Sequence, residues 1–200
     1  MDTVKISAAD VKKLRDQTGA GMMDCKKALT DADGDFEKAL DILRKKGMAK
    51  AAKRADREAK EGVIYSYIHP GSKLGVLVEV NCETDFVANT DDFQNFAKNV
   101  SMHIAAANPL VVSREQLDEA IVAKEMEIFK EQAKASGKPD NIIEKIAQGR
   151  LEKYYSEVCL MEQAYVRDMD KTVKDLMTEA IAKVGENINI KRFARYKIGE

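Results

Sequence analysis

Residues 62–82 read GVIYSYIHPGSKLGVLVEVNC, two β-branched and aromatic runs on either side of Pro70-Gly71-Ser72-Lys73. Proline presets the backbone angle of a turn and glycine accepts conformations that a side chain resists. The stretch therefore predicts an antiparallel hairpin with strands over 62–69 and 74–82. In the second strand Leu74, Val76, Val78 and Val80 alternate onto one face while Glu79 and Asn81 take the other, so one face belongs to a core. Two strands alone are marginal. A third antiparallel member is expected from residues 188–198, where Ile188, Ile190, Ala194, Tyr196 and Ile198 share a parity broken by Arg192, with Phe193 opposite.

Between these strands the apolar spacing becomes helical. Thr90, followed by Asp91 and Asp92, caps a stripe of Phe93, Phe96, Ala97, Val100 and Ile104 that is expected to cover the sheet, and Asn108-Pro109 ends it. Ser113 with Gln116 predicts the start of a second helix, with rows Leu117, Ile121, Ile128 and Val122, Met126, Phe129, Ala133. A turn at 136–141 leads back through Ile143, Ala147, Leu151, Tyr154 and Val158. The resulting antiparallel helical hairpin, 113–158, has a broader apolar face than one partner helix covers and reads as an interface. A last helix over 172–184, with Val173, Leu176, Met177 and Ala180, stops at Gly185.

Ahead of the sheet lie three short amphipathic patterns. Ser7 and Asp10 open the first, with Ala8, Val11 and Leu14, and Thr18-Gly19 closes it. The second places Met22, Cys25 and Leu29 on one face, with Met23, Lys26 and Lys27 elsewhere, and runs to Asp33-Gly34. Asp35 caps the third, striped by Phe36, Ala39, Leu40 and Leu43, and Gly47 reads as its stop. The organisation expected is an α+β fold. It comprises a three-helix domain over 1–47, a basic helical connector over 48–61 and a core over 62–200.

With 33 Lys plus Arg against 34 Asp plus Glu, the net charge of −1 excludes whole-surface attraction to nucleic acid or anionic membrane. The basic stretch 44–60, RKKGMAKAAKRADREAK, holds no aromatic residue to stack on bases, so a solvated connector is preferred to an RNA site. The first residues, MDTVKISAADVKKL, lack a signal peptide's apolar stretch, and a cytoplasmic protein is expected. Cys25, Cys82 and Cys159 match neither a disulfide framework nor a zinc spacing, and His69 and His103 lie at no helical offset from another ligand. The chain contains no phosphate-binding GxxxxGK[ST] loop. Cys82 is flanked by Glu83 and Asp85, which disfavour a thiolate nucleophile. The residues by themselves describe an α+β binding protein without catalytic machinery.

Two stretches, LRDQTGAGMMDCKKAL at 14–29 and EVNCETDFVAN at 79–89, resemble the signature motifs of the translation elongation factor Ts family. The similarity continues from SGKP at 136–139 through EKIAQGRLEK and EVCLMEQAYV to KTV at 171–173. The resemblance implies a guanine-nucleotide exchange factor that binds the GTPase elongation factor Tu and speeds release of its GDP. It implies that the first three helices form a ubiquitin-associated-like module. It further implies that Thr84, Asp85, Phe86 and Val87 act near the partner's Mg²⁺ site, and that Arg15, Met22, Met23 and Lys26 touch the GTPase. Such a protein is no enzyme and needs no cofactor of its own, because GDP, GTP and Mg²⁺ belong to the partner. No membrane and no direct nucleic-acid contact are expected.

The residues alone leave Phe86 two places, projected from the segment between strand and helix or tucked beneath its own helix. They likewise leave Met22 in the bundle core or at a contact surface, whereas the off-stripe position of Met23 favours contact. Longer members of the family carry two related sheet subdomains, and this chain has one VEVNCETDFVAN segment. A homodimer is therefore expected, formed through the helical hairpin or a sheet edge.

Overall fold

The computed structural model describes residues 6–137 and 139–200. Helix α1 (Ala8–Thr18) starts with the predicted capping box: Asp10 N donates to Ser7 Oγ (3.1 Å), and the Asp10 carboxylate accepts from Ser7 N. Gly19 ends it at φ +67°, a left-handed conformation that favours glycine. Helices α2 (Met22–Asp31) and α3 (Phe36–Ala52) follow, the latter capped by the Asp35 carboxylate on Lys38 N. Val11, Leu14, Cys25, Ala28, Leu29, Ala39 and Leu43 close the core between the three helices.

Gly47 is not a stop. It lies buried inside α3, where an added Cβ would meet Ala182 Cβ at an ordinary contact distance of 3.6 Å, so neither a helix end nor a steric demand accounts for the glycine. Beyond Ala52 the helix ends, and residues 53–57 form turns in place of the helical connector expected there. They are tied down: Asn187 Nδ2 donates to the carbonyls of Ala55 (3.3 Å) and Arg57 (2.8 Å).

The hairpin forms as β1 (Glu61–Ile68) and β2 (Leu74–Cys82). A one-turn helix α4 (Asp85–Ala88) then leads into α5 (Asp91–Ala107). The helical hairpin is α6 (Glu119–Ala135) and α7 (Asp140–Val158), packed side by side; within its turn Lys138 lies outside the described residues. After it come β3 (Ala164–Tyr165), β4 (Asp168–Thr172), α8 (Val173–Val184) and β5 (Ile188–Lys197). The main sheet is three-stranded and antiparallel in the order β1-β2-β5. Its inner face buries Val76, Val78, Val80 and Ile190, and Arg195 of β5 donates from Nε to the carbonyl of Ala105 on α5 (3.3 Å). Arg192 instead pairs with Glu79 on the outer face (2.7 Å). The parity of β5 therefore switches between Ile190 and Arg195, which is the break visible at Arg192 in the sequence.

One local expectation changes. Ser113 opens only a 3₁₀ turn, Arg114–Gln116, because the Gln116 side chain accepts from Val112 N (2.9 Å) and does not reach back to Ser113. Asp118 is the cap of α6, accepting from Ala120 N at 2.8 Å. The β3-β4 pair, Ala164 opposite Thr172 and Tyr165 opposite Asp168, has too few residues to display an alternating pattern. Arg114 stacks on the Tyr155 ring, 4.2 Å from its centre, and pairs with Glu152 and Glu162, which fastens the base of the helical hairpin.

The chain folds as two compact units drawn from interleaved segments. One takes the described residues up to 62 with 81–96 and 177–189, and the other takes those of 63–80, 97–176 and 190–200. The first brings the three-helix bundle, the residues after β2 and the end of α8 together. There Lys183 pairs with Asp92 (2.5 Å), and Arg54 Nη1 donates to the Ile181 carbonyl at 3.4 Å.

Candidate functional site

The segment after β2 is a dense hydrogen-bonded turn. Thr84 has extended backbone angles and caps α4, its Oγ1 accepting from Val87 N at 3.3 Å. Cys82 Sγ donates to the Thr84 carbonyl (3.2 Å), Asn89 Nδ2 to that of Asp85 (2.8 Å) and Gln94 Nε2 to that of Ala88 (2.7 Å). Thr90 Oγ1 donates to the Val87 carbonyl at 2.7 Å and accepts from Phe93 N, so it caps α5 as the sequence predicts. Val87 and Ala88 are buried and anchor the turn, while Thr84 and Asp85 face solvent. Phe86 is 82% exposed. Of its two sequence-level placements the structure adopts the projected one.

The second set of candidate residues lies on the bundle. Arg15 is exposed on the last turn of α1, Lys26 is exposed on α2, and Met23 is 77% exposed. Met22 is 47% exposed in spite of sharing a helical stripe with Cys25 and Leu29. It occupies the first residue of α2, and burial on that helix begins only at Cys25. Asp24 beside them accepts from Lys46 (2.7 Å) and Lys50 (2.8 Å) of α3, and these cations hold its carboxyl below the usual carboxylate range. Those ion pairs fix α2 against α3. Both candidate sets, 15–26 and 84–87, belong to the same compact unit.

The family profile described as "Elongation factor TS" matches residues 50–200. Relatives named "Elongation factor Ts" share this sequence along almost its whole length. The one from Thermoanaerobacter sp. (strain X514) is 62% identical over 98% of this chain and 96% of its own. That from Caldanaerobacter subterraneus subsp. tengcongensis is 61% identical over 98% of each. A third, from Fervidobacterium nodosum, is 57% identical over 98% of this chain and all of its own. The chain belongs to the elongation factor Ts family. With that membership goes a role as a translation elongation factor, and no helix among the described residues is long and apolar enough to cross a membrane.

In this elongation factor Ts family member the buried thiols are poor nucleophiles. Burial pushes Cys82 up to about 11, helped by the nearby Glu186 carboxylate, and burial likewise pushes Cys159 to about 11. Among the described residues there is no cluster of His, Cys, Asp and Glu able to hold a metal ion. Sequence reasoning missed Glu186 and Asn187. The Glu186 carboxylate accepts from Glu83 N (3.1 Å), Thr84 N (3.0 Å) and Thr84 Oγ1 (2.7 Å), and Asn187 N donates to Glu83 Oε1 at 2.7 Å. The only local signal is a polar pair after the helix-ending Gly185, which by itself reads as an ordinary turn.

Proposed function

We propose that this protein is the guanine-nucleotide exchange factor of elongation factor Tu, working in the cytoplasm without catalysing any covalent step. The observation that carries the reading is Phe86, a large apolar side chain left 82% exposed on a turn whose backbone is pinned by hydrogen bonds. An exposed aromatic on a rigid support suits a residue that is buried only when a partner arrives. The three N-terminal helices act as a ubiquitin-associated-like module presenting Arg15, Met22, Met23 and Lys26. Thr84, Asp85, Phe86 and Val87 disturb the partner's Mg²⁺ and phosphate site. Moving the groups that hold Mg²⁺ removes a charge clamp from GDP and speeds its dissociation. The equilibrium between nucleotides is untouched: preference for nucleotide-free elongation factor Tu is matched by an equal weakening of GDP binding, typically ~1–3 kcal/mol in coupled systems.

The functional form is a homodimer joined through the outer face of the sheet. There Ile64, Ile68, Leu77, Tyr196 and Ile198 are exposed together, and a groove of about 450 Å³ runs between Ile68, Leu77 and Tyr196. Glu79 and Arg192 neutralise each other on the same face. An exposed apolar patch of this kind, on which Glu79 and Arg192 offset each other, suits a second copy of itself.

The test loads elongation factor Tu with a fluorescent GDP, chases with unlabelled nucleotide and follows release. Acceleration by the native protein that is weakened in Phe86→Ala is expected. No acceleration by a folded sample, with a competent partner, overturns the exchange reading.

A further inference from the structure

Glu186 lies 103 residues after Glu83 and 102 after Thr84, yet its carboxylate takes three hydrogen bonds from the start of the Phe86 turn. Oε2 accepts both backbone amides, at 3.1 and 3.0 Å, and Oε1 accepts the Thr84 hydroxyl at 2.7 Å. Thr84 Oγ1 then accepts from Val87 N, closing the turn that carries Phe86. The grip is reciprocal, since Glu83 Oε1 accepts from Asn187 N at 2.7 Å. Arg57 lies 3.4 Å from the other Glu83 oxygen and offsets the two facing carboxylates.

Phe86 has almost no packing of its own, so only the backbone beneath it sets its direction. We propose that Glu186 is a positioning residue for nucleotide exchange: it clamps Glu83 and Thr84 so that Phe86 is presented to the partner already ordered. The inference rests on the exchange reading above. A turn that must be ordered at the moment of binding loses part of its interaction energy to that ordering, and pre-ordering removes the loss.

The native chain, Glu186→Ala and Glu186→Gln are compared in two measurements. The first is hydrogen–deuterium exchange of the Glu83 and Thr84 amides in the free protein. The second is GDP release from elongation factor Tu. Glutamine keeps an oxygen for the two amides, and its NH₂ donates to Thr84 Oγ1, so the contact geometry survives without the charge. The expected result is amide exchange at least about tenfold faster in Glu186→Ala, with stimulated GDP release slowed roughly tenfold, the size expected when hydrogen bonds to a charged acceptor are lost. Glu186→Gln, which keeps the contacts with a neutral acceptor, should recover most of the alanine loss in both and lie closer to the native chain than to Glu186→Ala, a rescue that loss of stability alone would not give. Unchanged amide exchange in Glu186→Ala, unchanged release, or a glutamine variant as slow as alanine overturns the assignment. Failure of the native chain to speed release overturns the exchange reading instead, and the amide measurement still decides whether Glu186 holds the turn.

Discussion

His103 Nε2 stands 2.9 Å from Gln163 Oε1, with both side chains buried, while Val166 N donates to His103 Nδ1 at 3.3 Å. The ring therefore carries its proton on Nε2 and keeps Nδ1 bare, which is the neutral form. Burial holds its pKa below the ordinary 6.5, against the opposing effect of the Gln163 bond. Since the unfolded chain binds a proton that the folded chain refuses, His103 gives its full stability above about pH 6.5 and loses it as pH falls toward the lowered value. Unfolding free energies from urea titrations between pH 7.5 and 5 should fall, with His103 contributing at most about 1.4 kcal/mol per pH unit to the slope. In His103→Gln that slope should flatten; equal slopes in the two proteins would refute the argument.

Phe86 and Met23 are expected to act on binding and hardly at all on folding. Both are largely exposed, so Phe86→Ala and Met23→Ala should each move stability by no more than about 0.5 kcal/mol. Affinity for nucleotide-free elongation factor Tu, measured by calorimetry, should fall roughly tenfold for the phenylalanine and about threefold for the methionine. A melting temperature that drops by many degrees in Phe86→Ala would place the ring in the core after all.

Gly19→Ala should cost about 1–2 kcal/mol of stability, because φ is +67° at that residue. The new methyl would also stand 3.1 Å from Lys183 Cε, a flexible contact that can shift. Urea titration of the double variant with Lys183→Ala separates the two causes. A remaining loss of about 1 kcal/mol assigns the cost to the backbone, and full recovery assigns it to the contact.

The thiols of Cys25, Cys82 and Cys159 are free and buried. Ellman's reagent at pH 8 should label the native protein slowly at all three positions and the urea-unfolded chain quickly, as thiolate formation and access are both suppressed in the fold. Exchange activity should survive Cys82→Ser. Loss of activity in a folded Cys82→Ser sample would revive a thiol chemistry.

Light scattering at micromolar concentration should give the mass of two chains for the native protein. Leu77→Glu, on the outer face of β2, should give the mass of one with an unchanged circular dichroism spectrum, because the side chain is already exposed within a single chain. A native mass of one chain would remove the dimer.

The sheet, the bundle and the covering helix are legible in the sequence because Val76, Val78 and Val80, or Phe93, Phe96 and Val100, repeat a spacing that one backbone geometry alone satisfies. Local signals mislead where a distant partner outweighs them. Gly47 has the residue type of a helix terminus but lies inside α3, which continues to Ala52, and Ser113 loses its capping role once Gln116 turns to Val112. The candidate site divides in the same way. Its exposed members lie in contiguous motifs, whereas Glu186 and Asn187 act through hydrogen bonds that bridge more than a hundred residues and leave no trace in local spacing.

The unit bearing Met23 and Phe86 also draws on residues 177–189. A ribosome adds roughly 5–20 residues per second, so the 103-residue interval between Glu83 and Glu186 corresponds to a delay on the order of 5–20 s. During that interval the nascent polypeptide already contains both signature motifs and lacks the carboxylate that clasps the turn. On the proposed role of Glu186, a product cut short before residue 186 would carry both signature motifs and lack the three hydrogen bonds that this carboxylate makes to Glu83 and Thr84. On that reading, competence for the partner arrives late in synthesis, after the last residues of the clasp have been made.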